Sequence, residues 1–421
     1  MQFKDLNLSN DILKALEDKK YTSPTPIQEK AIPHVLNESD VLGCAQTGTG
    51  KTAAFSIPII QLLNEEIKES QGKAKIKSLI VTPTRELAIQ IEENIRDYSK
   101  YTQVRRAVIF GGVKQHKQVA QLKQGVHILV ATPGRLLDLI SQGYISLKDV
   151  NRFVLDETDN NLDMGFINDI KKIIKMLPQK RQSLFFSATM PQNIVALSNT
   201  ILNNPKKVEV APVSSTAETI QQYIYYTNKK SKKDLLYHIL ENKDIDQVLL
   251  FSRTKHGANK IVTNLKKRKI ESAAIHGDKA QNQRQKALGQ FKQGKLRVLV
   301  ATDIAARGID IDKLKYVINY DIPNESETYV HRIGRSGRAG EEGVSISLCE
   351  PEENAWVKDI EKLIKKKIEV ITDNPFPQTD KPMTNAEKKE ANKEKARRKQ
   401  EFFANRKKNS GGGGGNRGRR R

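Results

Sequence analysis

Near the start of the chain, Ala45-Gln46-Thr47-Gly48-Thr49-Gly50-Lys51-Thr52 has the composition of a phosphate cradle. Glycines let a loop turn so that its N–H groups converge on an anion, a lysine reaches the terminal phosphates, and a threonine hydroxyl can ligate Mg²⁺. The pattern departs from Gly-x-x-x-x-Gly-Lys-Ser/Thr at its first position, where Ala45 stands. Further along, Asp156-Glu157-Thr158-Asp159 offers a carboxylate to the metal (Asp156) and another to orient or deprotonate an attacking water (Glu157). Mg²⁺ keeps part of its water shell and needs only one or two such carboxylates. A third cluster, His331-Arg332-Ile333-Gly334-Arg335-Ser336-Gly337-Arg338, carries guanidinium forks matched to phosphate oxygens. One half of the chain is expected to hold a nucleoside triphosphate and the other half to complete the site.

These clusters need rigid supports, and short apolar runs supply them. The first half has Asp40 to Cys44, Leu79 to Val81, Ile128 to Ala131, Phe153 to Leu155 and Leu184 to Phe186; the second has Val248 to Phe251, Ala273 to Ile275, Val298 to Val300, Val317 to Asn319 and Val344 to Leu348. Each is followed by a helical pattern, and alternating strand and helix imply parallel sheets covered on both faces. The polar motifs all follow the strands. In an open parallel sheet the ligand crevice lies beyond the carboxyl ends, so these motifs are expected along one rim.

The predicted organisation is an N-terminal domain over 1–210, a linker over 211–217, a C-terminal domain over 218–373 and a basic tail over 374–421. The linker, Ala211-Pro212-Val213-Ser214-Ser215-Thr216-Ala217, is small and uncharged and could act as a hinge. The tail begins at Asn374-Pro375-Phe376-Pro377 and ends in glycines and arginines, a composition that cannot bury enough apolar surface to order itself. Lys and Arg number 72 against 49 Asp and Glu, a net charge of +23 that points to a polyanionic partner. Residues 378–421 carry 15 of those cations and 5 of the anions, so the excess is shared between tail and body. No apolar run is long enough to span a membrane and no secretory leader is read at Met1 to Asn10, so the expectation is a soluble, cytoplasmic chain. Cys44 and Cys349 sit in apolar contexts suited to free thiols in a reducing compartment.

From the start of the chain to about residue 365 the motifs occur in an order that resembles the DEAD-box ATP-dependent RNA helicases, close to the bacterial RhlE type. Pro24-Thr25-Pro26-Ile27-Gln28, preceded by Tyr21 and Phe3, comes first; the phosphate loop, Pro83-Thr84-Arg85-Glu86-Leu87, Gly111-Gly112, Thr132-Pro133-Gly134-Arg135, the acidic box and Ser187-Ala188-Thr189 follow. The second half continues with Phe251-Ser252-Arg253-Thr254, Gln281 to Arg284, Ala301 to Asp310 and the arginine cluster. The resemblance implies two tandem RecA-like domains and an RNA-stimulated ATPase using ATP and Mg²⁺. It implies that Tyr21 stacks on adenine and Gln28 reads its edge, and that Gln46, Thr47, Gly48, Thr49, Gly50, Lys51 and Thr52 cradle the phosphates. Asp310 contacts the ribose or a phosphate-bound water, Arg335 and Arg338 act as arginine fingers, and Thr52 and Asp156 hold the metal. Asp159, Ser187, Thr189, Arg307 and His331 couple the halves.

Pro83, Thr84, Arg85, Gly111, Gly112, Thr132, Gly134 and Arg135, with Arg253, Gln281, Arg284 and Thr302, match positions by which the family grips RNA sugar and phosphate. Such contacts read no base edge, so binding should be nearly independent of sequence. The expected partner is RNA, with the protein a monomer and its tail assisting.

The chain also departs from the family. The acidic box has Thr158 where the family has Ala, Asn160-Asn161 replace the usual Arg-Met, and Lys20 replaces a glycine before Tyr21. Thr158 is expected to put a hydroxyl beside the metal site, and the missing arginine to weaken contact between the lobes. A nucleotide-dependent RNA clamp or annealing scaffold with weak turnover is the rival favoured by the altered box, and a DNA-unwinding relative is a second.

Overall fold

The computed structural model of the chain describes residues 1–46, 48–69, 72–210, 220–307, 309, 311, 314–337 and 342–382, with isolated positions between 384 and 401. The linker over 211–217 and the end of the tail lie outside the described residues.

Two seven-stranded, all-parallel sheets form the framework. The first contains β1 (Val41–Cys44), β2 (Ser78–Val81), β3 (Arg106–Ile109), β4 (Ile128–Ala131), β5 (Arg152–Leu155), β6 (Gln182–Ser187) and β7 (Lys206–Glu209). The second contains β8 (Ile220–Tyr226), β9 (Val248–Phe251), β10 (Ser272–Ile275), β11 (Val298–Ala301), β12 (Tyr316–Asn319), β13 (Gly343–Cys349) and β14 (Glu369–Val370). Their orders are β3-β4-β2-β5-β6-β1-β7 and β10-β11-β9-β12-β13-β8-β14, one permutation used twice. These are the two tandem RecA-like lobes that the resemblance implied.

All ten expected strands are present, most with bounds the same or longer by one to three residues, and the first shorter by one, starting at Val41. The strands not expected, β3, β7, β8 and β14, are polar or partly exposed: β7 reads Lys-Lys-Val-Glu with only Val208 buried, and β14 is two exposed residues. Their identity comes from the neighbour they pair with rather than from their own pattern.

Helices cover both faces. In the first lobe one core joins Phe55, Ile59 and Val130, while Leu79, Phe153 and Phe185 face the other side. Gly43 of β1 is packed so that a Cβ would meet the Phe186 ring at 2.4 Å, which explains a glycine inside a strand.

Residues 374–380 were expected to lie in the disordered tail, and the structure corrects this. Phe376 packs on the second lobe's core, its carbonyl accepts from Thr227 Oγ1 at 2.7 Å, and the Gln378 N–H donates to Tyr226 O at 3.0 Å. An aromatic side chain and correctly spaced amides suffice to hold a segment without helix or strand.

Candidate active site and nucleic-acid interface

The phosphate loop runs from the end of β1 to the helix Lys51–Glu69. Gly48 (φ 87°) and Gly50 (φ 96°) take the left-handed conformation that glycine alone adopts without strain. Lys51 opens the helix and is 6% exposed, yet its Nζ has no hydrogen-bond partner among the described residues. A buried, unpaired ammonium is costly unless an anion is to arrive. Gln46, Thr49 and Thr52 flank it in the same loop and first helical turn, and Thr47 lies outside the described residues.

The acidic box leaves β5 directly. Asp156 is 2% exposed, and burial pushes its carboxyl up to about 7 against the opposing pull of Lys51, with Glu157 raising it further. A buried carboxylate lining the same cavity as Thr52 suits a hard dication that takes oxygen ligands. Glu157 is a non-glycine residue in the left-handed region, φ 46° and ψ 56°. Asp159 Oδ2 accepts from the Ala188 N–H (3.2 Å), the Thr189 N–H (3.1 Å) and the Thr189 hydroxyl (3.2 Å), while Ser187 Oγ accepts from the Asp159 N–H at 3.3 Å. The structure thus brings Asp159, Ser187 and Thr189 together. The Thr158 hydroxyl does not face the metal side as expected; it donates to Phe186 O of β6 at 3.2 Å.

Tyr21, Gln28, Gly48, Lys51, Asp156 and Glu157 line one cavity of about 410 Å³, with Lys292 of the second lobe on its wall. Tyr21 stacks on Phe3 with centroids 6.5 Å apart, leaving its ring half-exposed. Gln28 Oε1 accepts from the Thr25 N–H at 3.0 Å, and its Nε2 donates to Gly50 O at 3.2 Å. One amide N–H and one lone pair remain for an adenine edge, so the residue both ties this segment to the loop and can read a base.

The second-lobe cluster divides by role in a way its spacing did not foretell. Arg332, absent from the expected site, is a buried hub: it grips Asp303 with two nitrogens at 2.5 and 2.9 Å, reaches Asp321 O at 2.6 Å and stacks on Phe251. Arg335 was expected to point at phosphate; its guanidinium instead donates to Ile309 O at 3.0 Å and His331 O at 3.3 Å, and it does not line the 410 Å³ cavity. Backbone carbonyls satisfy the fork in this arrangement. Asp310 and Arg338 lie outside the described residues. Burial lowers the His331 imidazole, while the Asp159 carboxylate of the first lobe's acidic box opposes that shift.

A second cavity, of about 490 Å³, gathers Pro83, Thr84, Arg85, Gly111, Thr132, Gly134 and Arg135 from the first lobe and Arg284 from the second. Gly112 adjoins it, and a Cβ there would meet the Arg85 guanidinium at 2.0 Å. Arg253 does not join them. Its guanidinium bonds Glu353 and Ile322 O, the latter at 2.9 Å, and lies over the Trp356 ring, so in this arrangement it is occupied away from the groove. Gln281 and Thr302 are also not part of this wall. Sequence reasoning missed Met164, Phe166 and Ile304, which line the groove; Ile304 is 63% exposed, an apolar chain left out of any core.

Polar contacts among the described residues join the lobes. Glu86 accepts from Gln281 Nε2 and from Arg284, both at 2.8 Å and buried, and Arg307 pairs with Asp163 at 3.0 Å. Asn160 is not among these contacts; its amide donates to Glu157 Oε2 at 2.9 Å.

With this geometry in hand, relatives can be compared. Residues 25–197 match a family model described as DEAD/DEAH box helicase, and residues 231–340 match the helicase conserved C-terminal domain. The ATP-dependent RNA helicase CshA of Limosilactobacillus reuteri is 43% identical over 365 residues, covering 87% of this chain and 72% of that protein. The ATP-dependent RNA helicase DbpA of Bacillus subtilis is 42% identical over 369 residues, covering 88% and 76%. Among solved structures, S. cerevisiae Dbp5 bound to RNA and ADP BeF3 superposes with a TM-score of 0.78 at 30% identity, covering 88% of this chain and 95% of that one. Mss116p bound to ssRNA and AMP-PNP gives 0.78 at 29%, covering 88% and 78%.

Proposed function

From the premise that this chain belongs to the DEAD/DEAH box helicase family and is an ATP-dependent RNA helicase, we propose how its residues divide the work. ATP occupies the 410 Å³ cavity, with adenine between Tyr21 and the free edge of Gln28 and its phosphates on the loop N–H groups and Lys51. Thr52 and Asp156 would hold Mg²⁺, which would supply charge neutralisation on the phosphates. Glu157 orients the water that attacks the terminal phosphate. Arg335 exchanges its carbonyl partners for phosphate oxygens as the lobes tighten, joined by Arg338 and Asp310.

RNA lies in the 490 Å³ groove, gripped by its backbone and without base reading, and the tail adds contacts of the same kind. ATP and RNA both favour the closed arrangement, so each raises the affinity for the other. Closure opens a few base pairs, and hydrolysis with phosphate release reopens the cleft. We further read the protein as a cytoplasmic monomer, as a bacterial RhlE-like enzyme with an Asp-Glu-Thr-Asp box, and as divided at residues 210 and 217, with the tail beginning after residue 380.

The observation that carries this division is the buried Lys51 ammonium, without a hydrogen-bond partner among the described residues, in a cavity of nucleotide size that two buried carboxylates also line. Steady-state ATP hydrolysis with and without single-stranded RNA tests it. Turnover that rises on adding RNA is expected, and turnover indifferent to RNA overturns the proposed coupling between groove and cavity.

A further inference from the structure

Of the three residues by which the acidic box departs from its family, two turn their side chains back onto it and one ties it to the neighbouring strand. Thr158, Asn160 and Asn161 are each buried. Thr158 ties the box to β6 through Phe186 O. Asn161 Nδ2 donates to Asp156 O at 2.9 Å and Glu157 O at 3.2 Å. Asn160 Nδ2 donates to the Glu157 carboxylate, Oε2, at 2.9 Å.

Glu157 needs such support. Its backbone sits in the left-handed region, which a non-glycine residue occupies only where its surroundings over-determine it. The two Asn161 bonds clamp the carbonyls on either side of that strained unit. Its carboxylate must also present one oxygen to a water in a fixed direction, because orientation as well as basicity sets the rate of general-base steps. The Asn160 bond is charge-assisted and fixes one oxygen, which sets the direction of the other. The amide orientation is determined as well: a flip would set its oxygen against the carboxylate. Asn160 stands three residues after Glu157 in the same helical turn, the spacing at which side chains meet.

We propose that Asn160 is a positioning residue for hydrolysis, orienting the Glu157 carboxylate, with Asn161 holding the strained backbone beneath it. An arginine at position 160 could not act identically, since its longer, charged fork would form an ion pair in place of a single bond from a neutral amide. This inference rests on the reading of Glu157 as the water-activating group.

The test is RNA-saturated ATP hydrolysis by the full chain carrying Asn160→Ala, Asn160→Asp or Glu157→Gln, with mant-ADP affinity reporting an intact fold. Asn160→Ala should lower kcat about tenfold, the scale on which outer-shell partners act, and leave KM for ATP within about twofold. Asn160→Asp replaces the donating amide with a carboxylate that cannot donate to Glu157, so its kcat should fall at least as far as that of the Ala variant, with KM for ATP again within about twofold. A merely structural cap would lower stability and leave kcat of the folded protein near the parental value. Parental kcat in either variant, or a change confined to KM, overturns the proposal. The near-isosteric Asp variant carries the test if the Ala variant loses mant-ADP binding. Glu157→Gln separates the two levels: parental turnover there removes the underlying reading of Glu157, whereas a dead Glu157→Gln beside unaffected Asn160 variants removes only this inference.

Discussion

The two lobes repeat one strand order, and in each the helix after the first strand opens with a buried lysine, Lys51 in one and Lys232 in the other. Their surroundings are opposite. Lys51 Nζ has no hydrogen-bond partner among the described residues, while Lys232 Nζ lies 2.8 Å from Glu353 and 3.8 Å from Asp321. The loop before Lys51 turns through Gly48 and Gly50; the segment before Lys232, Asn228-Lys229-Lys230-Ser231, has no glycine to let its N–H groups converge. One topology therefore yields a phosphate site or a packed ion pair, depending on whether the protein supplies the anion itself.

Removing each lysine should break this comparison most sharply. Lys51→Ala, like Glu157→Gln, should abolish RNA-stimulated ATP hydrolysis with thermal unfolding unchanged, because it removes phosphate charge from a site that contributes little to packing. Lys232→Ala should instead destabilise the second lobe by about 3 kcal/mol, since Glu353 is left buried without its closest ammonium. Chemical denaturation and ATPase assays of both variants read the two effects. A Lys232→Ala protein as stable as the parent would show that the pair is not the second lobe's substitute for a bound anion.

The lobes are also compared through their contact. Glu86→Ala removes the acceptor shared by Gln281 and Arg284, so the mutual strengthening of ATP and RNA binding should fall about tenfold. RNA affinity measured with and without AMP-PNP gives that coupling directly; unchanged coupling would mean that the buried contact does not report closure.

The next expectation concerns the tail against the folded groove. Because residues 374–380 are docked, the informative deletion starts at Lys381. RNA affinity should fall far more than turnover at saturating RNA. If about five tail charges meet phosphates, the log-log salt slope should drop by about 3.5. Equal slopes for the two proteins would make the tail a solubilising segment only.

The smallest effect is expected at Thr158. Its hydroxyl is bonded to Phe186 O, so Thr158→Ala should change kcat by less than about tenfold and stability by about 1 kcal/mol. A parent nearly inactive as an ATPase that gains full turnover on this substitution would favour the clamp reading.

Much of the site was legible because its chemistry is local. The phosphate loop, the acidic box and the groove residues from Pro83 to Arg135 each follow a strand, and parallel strands end on one rim. What the chain did not disclose involves partners remote in sequence. Arg253 and Arg335 look alike as exposed cations in a motif, yet Glu353 and Trp356 absorb one and the Ile309 carbonyl holds the other. Arg332, in the same cluster, is a buried hub because Asp303 and Asp321 surround it. Ile304 carries no apolar pattern that would mark it, since its place is a groove wall rather than a core.

Residue type and spacing by themselves determined the two-lobe α/β fold, the nucleotide chemistry and the polyanionic partner, because strand periodicity, loop glycines and charge act over a few neighbours. Tertiary structure alone decided which of two buried lysines remains available, which arginines are spent on carbonyls and carboxylates, and that Asn160 faces Glu157. Those outcomes depend on which groups lose water together, and burial is a property of the packed chain rather than of any segment of it.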